Sequence, residues 1–294
     1  MLLRTIASSR RNLCLIDAGN SRVKVRTCSL ALDPGDRPCC DSFICETQAV
    51  VGDHTNEIQS GHPNAHYIIA SVRGAAFTKL FRNEHAHIVK VPDHDSDSDL
   101  MLCYDTVENL GVDRWLAMFG AMSRSKDMGA ANTLVIDIGT AITGDLICRD
   151  ESGQYAHKGG WILPGADLQL AAINQTGRIA VPSGYFDVAQ GRSVQAIGQS
   201  TVECVVSAID HSAQGFISSI IHYCQNRAKE VLHDPRLAIV VTGGGYRRIF
   251  ENSDLLNEII SSLPVSYVPE LIFDGMQEAL CRDEQAFATL VARS

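Results

Sequence analysis

The stretch LCLIDAGNSRVKV, Leu13 to Val25, breaks an apolar run with Asp17, Gly19, Asn20 and Ser21 and resumes β-compatible residues at Val23. The stretch LVIDIGTAITGDLI, Leu134 to Ile147, does the same around Asp137, Gly139 and Thr140. In both, an aspartate follows Leu, Ile or Val and precedes x-Gly-Asn or x-Gly-Thr, so each reads as strand, tight turn, strand. An ordinary Asx turn explains one such break by itself. Two with the same internal order predict one structural unit used twice, which confines the chain to folds built from two related halves.

The rest of the sequence says what kind of half. AHYIIASVRG and LAIVVTGGG are short apolar strands ending in small residues, while DRWLAMFGAMSRS and STVECVVSAIDHSAQGFISSIIHYCQNRAKEV carry apolar residues at helical spacing. Strands alternating with helices predict an α/β architecture. The polar, glycine-containing RSKDMGAAN, Arg124 to Asn132, sets the expected boundary, giving halves of 1–125 and 126–294. Asp33 to Asp41 and VPDHDSDSDL read as loops; the second alternates aspartates like a calcium loop but lacks the glycine and closing glutamate of an EF-hand. Cys39, Cys40 and Cys45 fall in a polar loop without paired CxxC spacing, so no metal site is expected there. The ten cysteines form no small-domain disulfide framework.

A net charge of -9 argues against a nucleic-acid partner, since phosphate neutralisation needs clustered Lys and Arg. No apolar run approaches the roughly 18 residues of a membrane span, and the apolar part of MLLRTIASSRRN is too short for a secretory leader. A cytoplasmic protein without a membrane partner is expected. A small anionic ligand held by local dipoles stays compatible with the charge.

A nucleoside triphosphate is such a ligand. Its crowded oxygens need a backbone that approaches closely and offers N–H donors, which Gly and small hydroxyl residues permit. Gly19, Asn20 and Ser21 meet this need in the first turn; Gly139, Thr140 and Thr143 meet it in the second. Asp17 and Asp137 then stand at strand ends, where a carboxylate can hold a cation against phosphates. VVTGGGYRRI, Val240 to Ile249, adds a strand, three glycines and a helical start, suited to a nucleotide lying on backbone. LGVDRWLAMFGAM puts Asp113 and Arg114 at a helix start, where on local grounds the aspartate is a routine cap and the arginine pairs with any carboxylate. Gly111 leaves room for a substrate at the backbone, and Tyr104 offers a hydroxyl at its flank.

This ordered set resembles the phosphate-1, phosphate-2 and adenosine elements of the acetate and sugar kinase, Hsp70 and actin superfamily. More narrowly, DAGNSRVK, YDTVENLGVDR, DIGTAITGD, GGWILPG, GQSTVECV, TGGG and PELIFDGM together resemble the type III pantothenate kinase family. The resemblance implies two actin-like (ribonuclease H-like) halves with an ATP cleft between them, and ATP-dependent phosphorylation of pantothenate. It implies ATP binding by Asp17, Ala18, Gly19, Asn20, Ser21, Arg22, Val23, Lys24 and Thr140. It makes Asp113 the base, and Tyr104, Gly111, Val112, Asp113, Arg114 and Thr201 the pantothenate contacts, Thr201 from the other half or a partner subunit of a homodimer. Asp137 is the ligand of a monovalent cation, K+ or NH4+, and Asp17 a ligand of Mg2+ with ATP. Asp145 receives no task.

Departures are few. Ser21 stands where the family usually has Thr, and keeps the hydroxyl. Arg73 puts a charge into ASVRG where the family commonly has SSVVP. The first ten residues and the loop around Cys39 and Cys40 look like additions. Two other functions fit parts of the pattern: a kinase of another small acceptor, disfavoured by YDTVENLGVDR, and a regulator like the Bvg accessory factor, disfavoured by intact Asp17, Asp113, Asp137 and Thr140.

Overall fold

The computed structural model describes residues 2–9, 11–30, 43–51, 55–73, 75–78, 81, 85–94, 97–177, 179–182, 186, 197–230, 234–251 and 253–289. The chain divides into two compact units, 1–120 with 271–294, and 121–270. The first holds α1 (Leu2–Ser9), β1 (Leu13–Ala18), β2 (Val23–Leu30), β3 (Phe43–Val51), α2 (Thr55–Gly61), β4 (His66–Ser71), α3 (Ala75–Thr78), β5 (Ala86–Val89) and β6 (Leu100–Met101). Helix α4 (Val112–Asp127) starts in it and ends in the second unit, which continues with β7 (Asn132–Ile138), β8 (Ala141–Arg149), β9 (Tyr155–Pro164), α5 (Ala166–Asn174), α6 (Thr201–Glu230), β10 (Leu237–Thr242), α7 (Asp254–Ile260) and β11 (Val265–Tyr267). Helix α8 (Leu271–Arg282) and β12 (Phe287–Thr289) close the described chain.

Both Asp–Gly stretches are hairpins at the centre of a mixed sheet. Strand β1 pairs antiparallel with β2, setting Asp17 opposite Lys24, and parallel with β4. Strand β7 pairs antiparallel with β8, setting Asp137 opposite Thr143, and parallel with β10. Five of the six strands of each sheet repeat one order, β3-β2-β1-β4-β5 in the first and β9-β8-β7-β10-β11 in the second. This is the α/β class, built from two related halves, that the sequence predicts. All six residues of β1 and of β10 are buried, as strands covered on both faces must be, and this is why their apolar runs do not alternate.

Each unit has its own core. In the first, Ile16, Val25, Tyr67, Ile69, Phe77 and Phe81 pack together; in the second, Leu134, Ile136, Leu146, Ile217, Ile221 and Val241 do so. Strand β8 comes so close to α6 that a Cβ on Gly144 would stand 2.5 Å from Ile220 Cδ1. The helices read from apolar spacing are α4 and α6.

Two expectations are corrected. The second half was drawn to residue 294, whereas 271–294 belong to the first unit. There β12 pairs with β5, and α8 crosses α4 where both backbones lack a side chain: a Cβ on Gly120 would come 2.7 Å from Leu271 O, and one on Gly275 would collide with Leu116 O. Cys45, read as loop, lies in β3 opposite Cys28, with Gln277 Nε2 donating to its sulfur at 2.9 Å. Cys39, Cys40 and the loop Asp33 to Asp41 lie outside the described residues. Among described residues no group of three or more His, Cys, Asp or Glu could hold a metal ion, and no helix is long and apolar enough to cross a membrane.

Candidate active site

The first hairpin belongs wholly to the first unit. Asp17 is only 7% exposed, and Ala18 and Val23 beside it are buried, whereas Asn20, Ser21 and Arg22 at the turn are exposed. Burial pushes the Asp17 carboxyl up to about 6; Lys24 across the hairpin opposes the rise and the negative charge of Asp113 adds to it. A buried carboxylate beside a second negative charge is a site that gains from a cation. With too few protein ligands for a closed cage, the arrangement suits Mg2+ arriving with phosphate oxygens rather than a permanently held metal. The turn is also stapled from β4: Arg73 Nε donates to Gly19 O at 2.6 Å and Nη2 to Asn20 O at 3.2 Å, while Val72 N–H donates to Ala18 O at 3.2 Å.

Asp113 enters the same unit as the second residue of α4. Its Oδ1 accepts the Arg114 N–H at 2.8 Å and sits over Gly111, where a Cβ would lie 2.5 Å from that oxygen. A side chain at this position would push the carboxylate aside. Arg114 is buried, and its Nη1 donates to the Tyr104 hydroxyl at 2.8 Å. Helix α4 is fixed behind them by Trp115, Met118 and Phe119, all fully buried. A cavity of about 790 Å³ opens beside this corner, lined among others by Ser71, Val72, Lys90, Asn109, Gly111 and Val112. Its size is that of a small-molecule site.

The second hairpin shows how three motifs of the second unit come together. Asp137 and Thr140 are half-buried. Gly139 N–H donates to Ala141 O at 2.9 Å to close the turn, Gly165 N–H donates to Thr140 O at 2.9 Å, and Gly245 N–H donates to Ile138 O at 2.9 Å. Gly243 has φ +92° and lies so near Asp137 Oδ1 and Ile138 O that a Cβ would strike both. DIGT, LPG and TGGG thus meet around one turn: LPG at the Gly139 and Thr140 backbone, and TGGG at Ile138 O and the Asp137 carboxylate, an oxygen ligand of the kind hard cations take. Tyr267 donates its hydroxyl to Gly243 O at 3.3 Å and stacks on Tyr246 with ring centroids 4.0 Å apart.

Thr201 is the exposed first residue of α6. Its neighbours cap the helix: Ser200 Oγ accepts the Glu203 N–H at 3.3 Å, and Glu203 Oε2 accepts the N–H of Gln199, the residue before the cap, at 2.8 Å. Asp145 is no strand-end group. It lies inside β8, 2% exposed, 3.1 Å from His157 Nε2 on β9, a pair internal to the sheet. Sequence reasoning missed the role of Arg73, whose one signal was its departure from the family pattern. It also missed Lys90, an exposed residue that no spacing singles out.

A family model described as type III pantothenate kinase matches residues 13–223. Curated relatives carry the same description. One from Saccharophagus degradans is 27% identical over 221 residues, covering 71% of this chain and 79% of that protein. One from Hahella chejuensis is 31% identical over 183 residues, covering 62% and 63%. One from Azotobacter vinelandii is 29% identical over 267 residues, covering 89% and 95%.

Proposed function

The chain belongs to the type III pantothenate kinase family, and we propose that it transfers the γ-phosphoryl group of ATP to the primary alcohol of pantothenate, yielding 4′-phosphopantothenate, the first step of coenzyme A synthesis. The observation that carries this reading is the buried Asp17, whose carboxyl burial pushes up to about 6 with Asp113 adding to the rise, on the strand paired with β4, whose Ser71 lines the cavity together with Gly111 and Val112. Asp17 to Lys24 take the triphosphate, Asp17 holding Mg2+ with it. When bound, Mg2+ neutralises charge on the phosphates. Asp113 orients the pantothenate hydroxyl and accepts its proton as the new P–O bond forms; a loose transition state asks for little base strength, so a carboxylate suffices. Arg114, clamped to Tyr104, keeps its guanidinium fixed at the edge of the substrate, and Gly111 with Val112 supplies backbone.

In the second unit, Thr140 contacts ATP and Asp137 holds K+ or NH4+. Thr201, relieved of capping by Ser200, reaches pantothenate bound to a partner subunit of a homodimer. Exposed Ile162 on β9 and Tyr223 on α6 support such an interface. The reaction runs in the cytoplasm on small molecules, without nucleic acid or membrane, in keeping with the charge of -9.

Coupled measurement of ADP release with and without pantothenate tests the reading. Release that depends on pantothenate is expected; ATP binding without turnover would leave a regulator in its place. Replacing sodium by potassium or ammonium at fixed ionic strength should raise the rate, since screening is then constant. Asp137→Ala should remove that difference, and a wild-type rate indifferent to the cation would sink the role of Asp137.

A further inference from the structure

Turn carbonyls are the obstacle in a phosphate loop, because each is the negative end of a peptide dipole and repels the ligand. In the first hairpin two successive carbonyls, Gly19 O and Asn20 O, are both engaged by one guanidinium, that of Arg73, at 2.6 and 3.2 Å. Arg73 is itself braced. Its backbone N–H donates to Ser71 Oγ at 3.1 Å, and its guanidinium lies 5.8 Å from the Phe77 ring centroid. Across a trans peptide the C=O of one residue and the N–H of the next point in opposite directions. Drawing the Gly19 and Asn20 carbonyls to Arg73 therefore directs the N–H groups of Asn20 and Ser21 away from the guanidinium, the orientation an anion-binding turn needs. The same side chain places a fixed positive charge at a turn whose hairpin also carries buried Asp17.

We propose that Arg73 is a positioning residue for the triphosphate: it fixes the turn by drawing the Gly19 and Asn20 carbonyls away from the side the phosphates approach. This deepens, and rests on, the reading of Asp17 to Lys24 as the ATP loop. The residue acts through the loop, so removing it should weaken ATP binding selectively. Lysine, with one compact ammonium in place of the planar fork, should restore part of the effect.

The test is steady-state kinetics of the full chain with Arg73→Gln and Arg73→Lys, together with calorimetric titration of Mg–ATP. Arg73→Gln should raise the KM for ATP and the Kd for Mg–ATP roughly 10- to 50-fold, the range for losing two charge-assisted hydrogen bonds. The KM for pantothenate should move less than about threefold by the same reasoning, and Arg73→Lys should fall between Gln and wild type. A folded Arg73→Gln with unchanged affinity for Mg–ATP overturns the proposal. So does a variant whose pantothenate KM, kcat and melting temperature deteriorate in step with its ATP KM, which marks Arg73 as a staple of the fold alone. If Arg73→Gln fails to fold, Arg73→Lys decides by the same readouts. Calorimetry separates the two readings. Affinity lost in the variant of a wild type that shows no pantothenate-dependent ADP release keeps Arg73 and sinks the acceptor, whereas normal turnover with unshifted ATP affinity does the reverse.

Discussion

The two Asp–Gly hairpins occupy the same place in the same sheet order, yet they are finished by different means. In the first unit Asp17 lies beside Ala70 on β4, and the chain leaving β4 supplies a charged side chain, Arg73, to the turn carbonyls. In the second unit Asp137 lies beside Thr242 on β10, and the chain leaving β10 supplies three glycines. There Ile138 O is taken by Gly245 N–H and Thr140 O by Gly165 N–H, so backbone replaces the side chain. One frame therefore carries two kinds of turn. The first keeps a guanidinium and an exposed tip. The second is closed by backbone, with Gly165, Gly243 and Gly245 packed too tightly to accept a Cβ.

The largest effect tests the first unit. Asp113→Asn should lower kcat roughly 10²- to 10⁴-fold, the range for a general base, with melting temperature unchanged. A folded variant at near wild-type rate would remove the chemistry from this corner. Next in size is a matched pair of glycine changes. Gly243→Ala combines positive φ with collisions at Asp137 Oδ1 and Ile138 O, and should destabilise by roughly 2–5 kcal/mol in denaturant titration. Gly19→Ala, whose Cβ would meet only Arg22 O at 3.4 Å, should cost less than about 1 kcal/mol. Equal losses at the two sites would erase the distinction between a packed turn and an adjustable one.

Much of this contrast could be read in advance, and the rest could not for definite reasons. The hairpins were legible because a D-x-G break inside an apolar strand is a local pattern with one economical solution. Helices α4 and α6 were legible from their period. The return of α8 to the first unit was not, because it is decided by two single glycines, Gly120 and Gly275, whose close approach joins segments far apart in sequence. Arg73 was visible as an oddity but not as a clamp, since its partners are carbonyls, which every residue possesses and no sequence pattern displays. Cys45 was misplaced because the polar residues of FICETQAVV hide a strand whose partner β2 lies on the other side of the cysteine-bearing loop. Thr201 opens α6, but the cap there is Ser200, one residue earlier, and only hydrogen bonds separate the two.

The smallest expected effect concerns the protons on the first carboxylate. A carboxyl raised from 3.8 to about 6 on folding binds its proton more tightly in the folded state. Stability from this group is therefore fully present below the unfolded value, 3.8, and is lost as pH rises through 6. Across pH 5 to 7 the loss should be about 1–2 kcal/mol by that linkage in protein free of nucleotide and Mg2+. His66 works against it: burial, with the charges of His85, His87 and Arg11, holds its pKa at about 4, so its contribution grows as pH rises from 4 towards 6.5. The informative quantity is thus the difference between wild type and Asp17→Asn, in which the His66 term cancels. Stability of wild type relative to the variant should fall across this window, and saturating Mg–ATP should flatten the fall by favouring the ionised carboxylate. Parallel pH profiles for the two proteins would mean that Asp17 is neither desolvated nor pressed by Asp113, and the first hairpin would lose what most distinguishes it from the second.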